Sequence, residues 1–161
     1  MNLIYIGKLV NTHGLKGEVR IISDFKFKDV VFKKNNNIYI KDNKYTINSY
    51  RKHKMFDMII LDGINNIEDA LDLKGNNVYI DKNEYVFSGY LDEDLIGLEV
   101  YDNDIYKGKI IDIYKTTTSD LLVIEGNKKH MVPNIEMFIE KVDLENNRIY
   151  INYIKGLDNE D

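Results

Sequence analysis

The sequence predicts an all-β protein built as two small β-barrels in tandem, and three observations carry that expectation. Twelve tyrosines and six phenylalanines, beside many Ile and Val, favour pleated, half-buried surfaces over helices. A single proline leaves the strands uninterrupted. Short apolar runs recur between Asn, Asp and Gly turns at roughly the 8–12-residue spacing of sandwiches and barrels, and closure into a barrel removes sticky edges. The 161 residues suffice for one or two domains. A half of about 80 residues buries only roughly 60% of its unfolded surface, so packing on the other half or on a partner would add to a thin stability.

The chain opens on an apolar run, Leu3 to Val10, and a second run, Glu18 to Ile22, follows closely. Between them stand His13, Gly14, Lys16 and Gly17. Glycine reaches positive φ without steric cost, so this stretch reads as strand, tight loop, strand, with the loop either a structural turn or a binding element. Glu18-Val19-Arg20-Ile21 alternates as a strand with one wet face must. Phe25 to Lys34 mixes aromatics and lysines without a clean period. Asn37 to Ile40 and Lys44 to Arg51 read as strands about an Asp42-Asn43 turn, and Phe56 to Leu61 as another. Asn66 is a good helix N-cap with Asp69 at the third helical position, and Ile67, Ala70 and Leu71 form an apolar face. Gly75 supplies the left-handed stop, making this the one convincing helix. Asn77 to Ile80 closes the first half.

Asp81 to Asp94 mixes acids, glycine and isolated aromatics, and reads as linker. Leu95 to Tyr101, Gly108 to Tyr114, Asp120 to Glu125, His130 to Val132 and Arg148 to Tyr153 follow as short strands. Asn103-Asp104, Gly126-Asn127 and Glu145-Asn146-Asn147 are the turns between them. The expected domains are 1–84, a linker 85–94, a second barrel 95–157 and an acidic tail 158–161.

Charge is split along the chain. Met1 to Phe87 carries 14 Lys and Arg against 11 Asp and Glu, a net of +3, whereas Ser88 to Asp161 carries 8 against 16, a net of −8. Either the halves address different partners, or the acids simply keep the protein soluble. The absence of cysteine excludes disulfides, thiolate nucleophiles and Cys-bound zinc. No apolar run approaches the ~18 residues of a membrane span and no signal pattern opens the chain, which points to the cytoplasm.

Enzyme chemistry finds little footing. There is no GxxxxGK[ST] or GxGxxG nucleotide cradle. His13, His53 and His130 lack metal-ligand spacing. Asp102-Asn103-Asp104 resembles the start of a calcium loop, but Lys107 and Ile113 occupy the positions of its glycine and glutamate, so it reads as a solvated hairpin. Thr116 to Asp120 offers hydroxyls and a carboxylate without a base to activate them. No cofactor is expected. The runs Lys26, Lys28, Lys33, Lys34 and Arg51, Lys52, His53, Lys54 interleave with Phe25, Phe27, Phe32 and Tyr50. Such cations could meet phosphates while the rings stack on bases; alternatively, the rings point inward as on any half-buried strand.

Stretches over nearly the whole chain, in the same order, resemble the RimM family of bacterial ribosome maturation factors. IGKLVNTHGLKGEVRI resembles its N-terminal signature, and LDGINNIEDALDLKGNNVYI the end of its first domain. DLIGLEVYDND, KGKIIDIYKTTTSDLLVIEG and MVPNIEMFIEKVDLENNRIYI resemble its second domain, a PRC barrel. The resemblance implies a non-enzymatic, monomeric assembly factor that binds the immature small (30S) ribosomal subunit. It also implies support for 16S rRNA processing and head maturation, and contact with small-subunit ribosomal protein nineteen through the PRC barrel. An acidic barrel suits a basic ribosomal protein, leaving the basic half for rRNA. The family's aromatic pair before DLIG falls on Tyr90 and Leu91, so these two, with Pro133 and Phe138, are the expected partner-binding residues. Expected rRNA contacts are His13, Lys16, Arg20, Arg51 and Lys52, with Gly14 and Gly17 shaping the loop. A general RNA-binding module and a split-barrel cofactor-binding protein are the alternatives.

Overall fold

The computed structural model describes residues 1–152, so the expected strand end at Tyr153 and the tail 158–161 lie outside the described residues. The chain divides into two compact units, Met1–Ser88 and Gly89–Asp161.

The first unit holds β1 (Leu3–His13), β2 (Glu18–Ile22), α1 (Lys28–Val31), β3 (Asn37–Ile40), β4 (Asn43–His53), β5 (Phe56–Leu61), α2 (Ile67–Leu71) and β6 (Asn77–Asp81). Its strands close into a barrel in the order β1-β2-β5-β4-β3-β6. Two long strands make closure possible. β1 pairs with β6 through its first half and with β2 through its second, and β4 divides itself likewise between β3 and β5. Both are kinked by register shifts, at Tyr5/Gly7 and Leu9/Asn11 in β1 and at Ile47/Ser49 in β4, and such bulges turn a strand around a barrel corner. At the first kink a Cβ on Gly7 would stand 2.6 Å from the Ile22 carbonyl oxygen, so glycine lets the two backbones approach.

Local expectations hold closely here. The Asn66 side chain accepts from the Asp69 N–H at 2.8 Å, and Gly75 has φ of 86°. The β3–β4 turn, however, is Lys41-Asp42, both at positive φ, flanked by the Ile40–Asn43 pair. That is the backbone of a two-residue type I′ hairpin, one residue earlier than expected. The aperiodic stretch after β2 contains α1, and it feeds Val31 and Phe32 into a core shared with Ile6, Leu9, Ile21, Ile38 and Ile59. Its aromatics also turn inward. Phe27 stacks on Phe87 at 4.9 Å, Phe32 stacks on Tyr50 at 5.9 Å, and both Phe27 and Phe32 are buried. Of the two readings of the lysine–aromatic runs, the structure favours rings inside for this segment.

The segment 85–94, expected as linker, is built into the units. Tyr85 and Phe87 pack against the first core, and Tyr85 donates to the Asn37 carbonyl at 3.2 Å. Isolated aromatics give no periodic signal, yet Tyr85 and Phe87 each meet residues far away in sequence. At the other end, Asp92–Leu95 forms α3, where a strand had been expected to begin at Leu95. The Asp94 carboxylate accepts the Leu91 N–H at 2.9 Å, and three acids sit in the helix's first turn.

The second unit continues with β7 (Glu99–Asp102), β8 (Ile105–Lys115), β9 (Asp120–Glu125), β10 (Lys129–Pro133), β11 (Ile139–Asp143) and β12 (Arg148–Ile151). The order is β10-β9-β8-β7-β12-β11, with β12 and β7 parallel. β11 was not expected, because Ile-Glu-Lys-Val-Asp lacks clean alternation and is only partly buried. Leu98, Val100, Ile110, Leu122, Ile124, Ile149 and Ile151 form the core. On the outer face, register aligns Lys129, Glu125, Lys109, Glu99, Arg148 and Asp143 across all six strands. Opposite charges meet at every step, an arrangement in which each cross-strand pair adds roughly 0.2–1 kcal/mol.

Candidate nucleic-acid and partner interfaces

In the first unit the β1–β2 loop and the outer face beside it gather the expected rRNA contacts. Gly14 and Gly17 have φ of 77° and 82°, as the tight reversal requires. Leu15 is 83% exposed and Lys16 stands exposed beside it at the loop tip. Arg20 Nη2 lies 2.9 Å from His13 Nδ1, and its guanidinium carbon sits 5.3 Å from the Phe56 ring centroid. Arg20 Nε is buried without a hydrogen-bond partner among the described residues, leaving one donor of the fork unused. Arg51 is brought to the same region but is occupied: its Nε and Nη2 donate to both Glu18 oxygens, at 2.9 and 2.8 Å. That bidentate bond holds the Glu18 carboxyl below its ordinary value, against its partial burial and with help from Arg51, His13 and His53 charge.

Lys52 departs from this group. It faces Asp57, with Nζ 3.8 Å from the carboxylate. Asp57 is the sole buried charged residue among the described ones. It is satisfied by Tyr50, whose hydroxyl donates at 2.7 Å, and by Lys28 Nζ at 3.0 Å. A buried carboxylate so surrounded is a structural anchor, since breaking up such a group leaves an uncompensated charge. No local pattern announces it, because its partners come from α1 and β4, two segments outside its own strand.

In the second unit the four expected partner-binding residues separate. Tyr90 is 41% exposed, as a contact residue must be. Leu91 is buried, so it does not extend the Tyr90 surface. Pro133 ends β10 opposite Leu121 and is half-buried. Phe138, expected at the surface, is buried in the core. The chain turns there through bonds from the Phe138 and Ile139 N–H groups to the Ile135 carbonyl, which swings the ring inward. What this loop presents instead is Met137, 65% exposed, and Ile135, with Met131 on the neighbouring strand. The sequence signal was present in Ile135-Glu136-Met137-Phe138, where only one apolar residue can point in at a time. The Thr116 hydroxyl is consumed locally, donating to the Ser119 carbonyl at 2.6 Å and accepting the Ser119 N–H, as a polar turn does.

Residues 4–85 match the family model of the RimM N-terminal domain, and residues 92–157 that of the RimM PRC barrel domain. The ribosome maturation factor RimM of Staphylococcus epidermidis is 36% identical, over 96% of this chain and 98% of that protein. Its counterpart in Staphylococcus aureus is 35% identical with the same coverage. Among solved structures, a 16S ribosomal RNA processing protein RimM from Pseudomonas aeruginosa aligns over 95% of this chain and 98% of its own, at 20% identity and a TM-score of 0.46. The two domain matches, in order, and relatives aligned over nearly the full length lead to one conclusion: this chain belongs to the RimM family.

Proposed function

We propose that this protein is a ribosome maturation factor that acts by binding and not by catalysis. It associates with the immature 30S subunit, assists 16S rRNA processing and head maturation, and leaves before translation. It works as a cytoplasmic monomer without a cofactor. The observation that carries the reading is the match of both domains to a family whose similar curated members are named ribosome maturation factors.

The surface supports a division of labour. The second domain contacts small-subunit ribosomal protein nineteen, and its described acids all lie outside the core, where they attract a basic client and speed encounter. Tyr90, Ile135 and Met137 supply apolar anchors. The first domain meets rRNA through Lys16 and the His13–Arg20 pair. Affinity capture of the tagged full-length protein from growing cells tests this. Ribosomal protein nineteen and precursor 16S rRNA should co-purify, and the protein contact should weaken with salt. Absence of any complex with that protein, even in dilute buffer, would overturn the reading.

A further inference from the structure

On the first unit's barrel, strand alternation decides which side chains of β1 and its two neighbours face out. Ile4, Ile6 and Leu9 pack into the core, so Tyr5 and Lys8 point away from it. On β6, Val78 and Ile80 are buried and Tyr79 between them is outward. On β2, Val19 and Ile21 are buried, which leaves Arg20 and Ile22 outside. Register sets Tyr5 beside Tyr79, and Lys8 between Asn77 and Ile22. The Tyr5 and Tyr79 rings meet edge to face at 6.0 Å, and Tyr39 on β3, itself buried, continues their row. Tyr5 is 52% exposed.

Lys8 stands between the two kinks of β1, and bulges re-aim the side chains beside them. It is exposed, and its cross-strand neighbours Asn77 and Ile22 carry no charge. Among the outward residues that register places on β6, β1 and β2, the acids are Asp81 and Glu18, one at each end. Both are engaged: Asp81 accepts the Asn2 and Asn83 N–H groups at 3.1 Å, and Glu18 holds Arg51. Glu84, beyond the buried Tyr39, accepts that hydroxyl at 2.8 Å, and Asp24, which follows β2, lies near Lys28. The outer face of the second unit alternates its charges strand by strand, whereas here Lys8 and Arg20 are set among rings and apolar side chains.

We propose that the outer face of β6, β1 and β2 is a binding surface for unpaired RNA, with bases stacking on Tyr5 and Tyr79 and phosphates held by Lys8 and Arg20. Rings beside cations are what a single strand requires, and the combination tolerates many sequences. In a duplex each base face is covered by the next pair, so stacking on these rings selects unpaired bases. The flanking acids stand at the ends of the face, and the cations between them would meet phosphates directly, where salt screens least. The inference rests on the reading that the first domain meets rRNA. It carries that contact from the β1–β2 loop down the length of β1.

Fluorescence anisotropy of the full-length protein tests this, using a labelled single-stranded RNA of mixed sequence and the same RNA annealed to its complement. The single strand should bind several-fold more tightly than the duplex. Tyr5→Ala should weaken that binding about tenfold, and Tyr5→Phe should bind like the parent, because stacking needs the ring and not the hydroxyl. Lys8→Gln should lower the salt dependence of log K by about 0.7, as for one lost phosphate contact on a single strand. That variant leaves the ring pair intact, so its slope is readable even if Tyr5→Ala loosens the strand. Lys16→Ala probes the loop separately. If it alone weakens RNA binding while the Tyr5 and Lys8 variants match the parent, the face is overturned and the loop contact stands. If the parent binds no RNA, both fall. Equal affinity for the duplex would also overturn the proposal. So would Tyr5 and Lys8 variants that lose ribosomal protein nineteen with RNA binding unchanged, since the face would then be a protein dock.

Discussion

The carbonyl oxygen of Asn66 lies 2.5 Å from where a Cβ on Gly17 would stand. The residue that caps α2 therefore also closes over the glycine of the β1–β2 loop, and the loop is held in place by a helix start nearly fifty positions away. Gly14, in the same loop and also at positive φ, faces open space. Alanine at Gly14 should cost about 1–2 kcal/mol for the left-handed backbone alone. Alanine at Gly17 adds a backbone collision and should exceed about 3 kcal/mol. Hydrogen exchange at β1 and β2 amides, with urea unfolding, would measure both; equal losses would show that Asn66 does not confine Gly17.

Burial separates two neighbours that look alike in sequence. Phe138→Ala should destabilise the second unit by about 3–5 kcal/mol, as emptied aromatic sites do. Met137→Ala should leave stability within about 0.5 kcal/mol and weaken co-sedimentation with immature small subunits. Tyr90→Ala should behave like the Met137 variant. Melting curves and sucrose-gradient sedimentation read the two effects separately, and unchanged sedimentation for both exposed variants would remove these residues from the interface.

Alkaline pH should loosen the first unit. Tyr39, Tyr50 and Tyr85 are each pushed up to about 12. For Tyr39 the leading cause is its bond to Glu84, and for Tyr50 and Tyr85 it is burial, aided at Tyr50 by the bond to Asp57. An unfolded tyrosine ionises near 10, so from there upward the unfolded chain sheds protons that the folded chain keeps. Stability is undiminished below pH ~10 and falls as pH rises through about 12. Urea melts across that range, followed with phenolate absorbance, should show the loss, and Tyr39→Phe should make it shallower. A pH-independent midpoint would contradict it.

The Arg51–Glu18 bond predicts the opposite sign in acid. Glu18 is held below 4.5, so its contribution is present at neutral pH and is lost as pH falls through the lowered value. Arg51 is half-exposed although Glu18 is mostly covered, and Arg51→Ala should cost about 1 kcal/mol. That difference should vanish in acid; if it persists, the guanidinium stabilises by packing. Because Glu18 occupies Arg51, its removal should also affect RNA binding less than Lys16→Ala does.

Sequence by itself determined what depends on near neighbours. The Asn66–Asp69 cap, the left-handed Gly75, the Asn103-Asp104 turn and most strands follow from residues a few positions apart. The charge split is equally local to read. Tertiary structure alone decided which member of each apolar pair went inside: Phe138 and not Met137, Leu91 and not Tyr90. It also decided that Asp57 would be buried among Tyr50, Lys28 and Lys52, and that six alternating charges and three tyrosines would align across strands. Strand register makes these choices. A slip of one residue carries every side chain to the opposite face, and register is set by pairing between segments far apart in the chain.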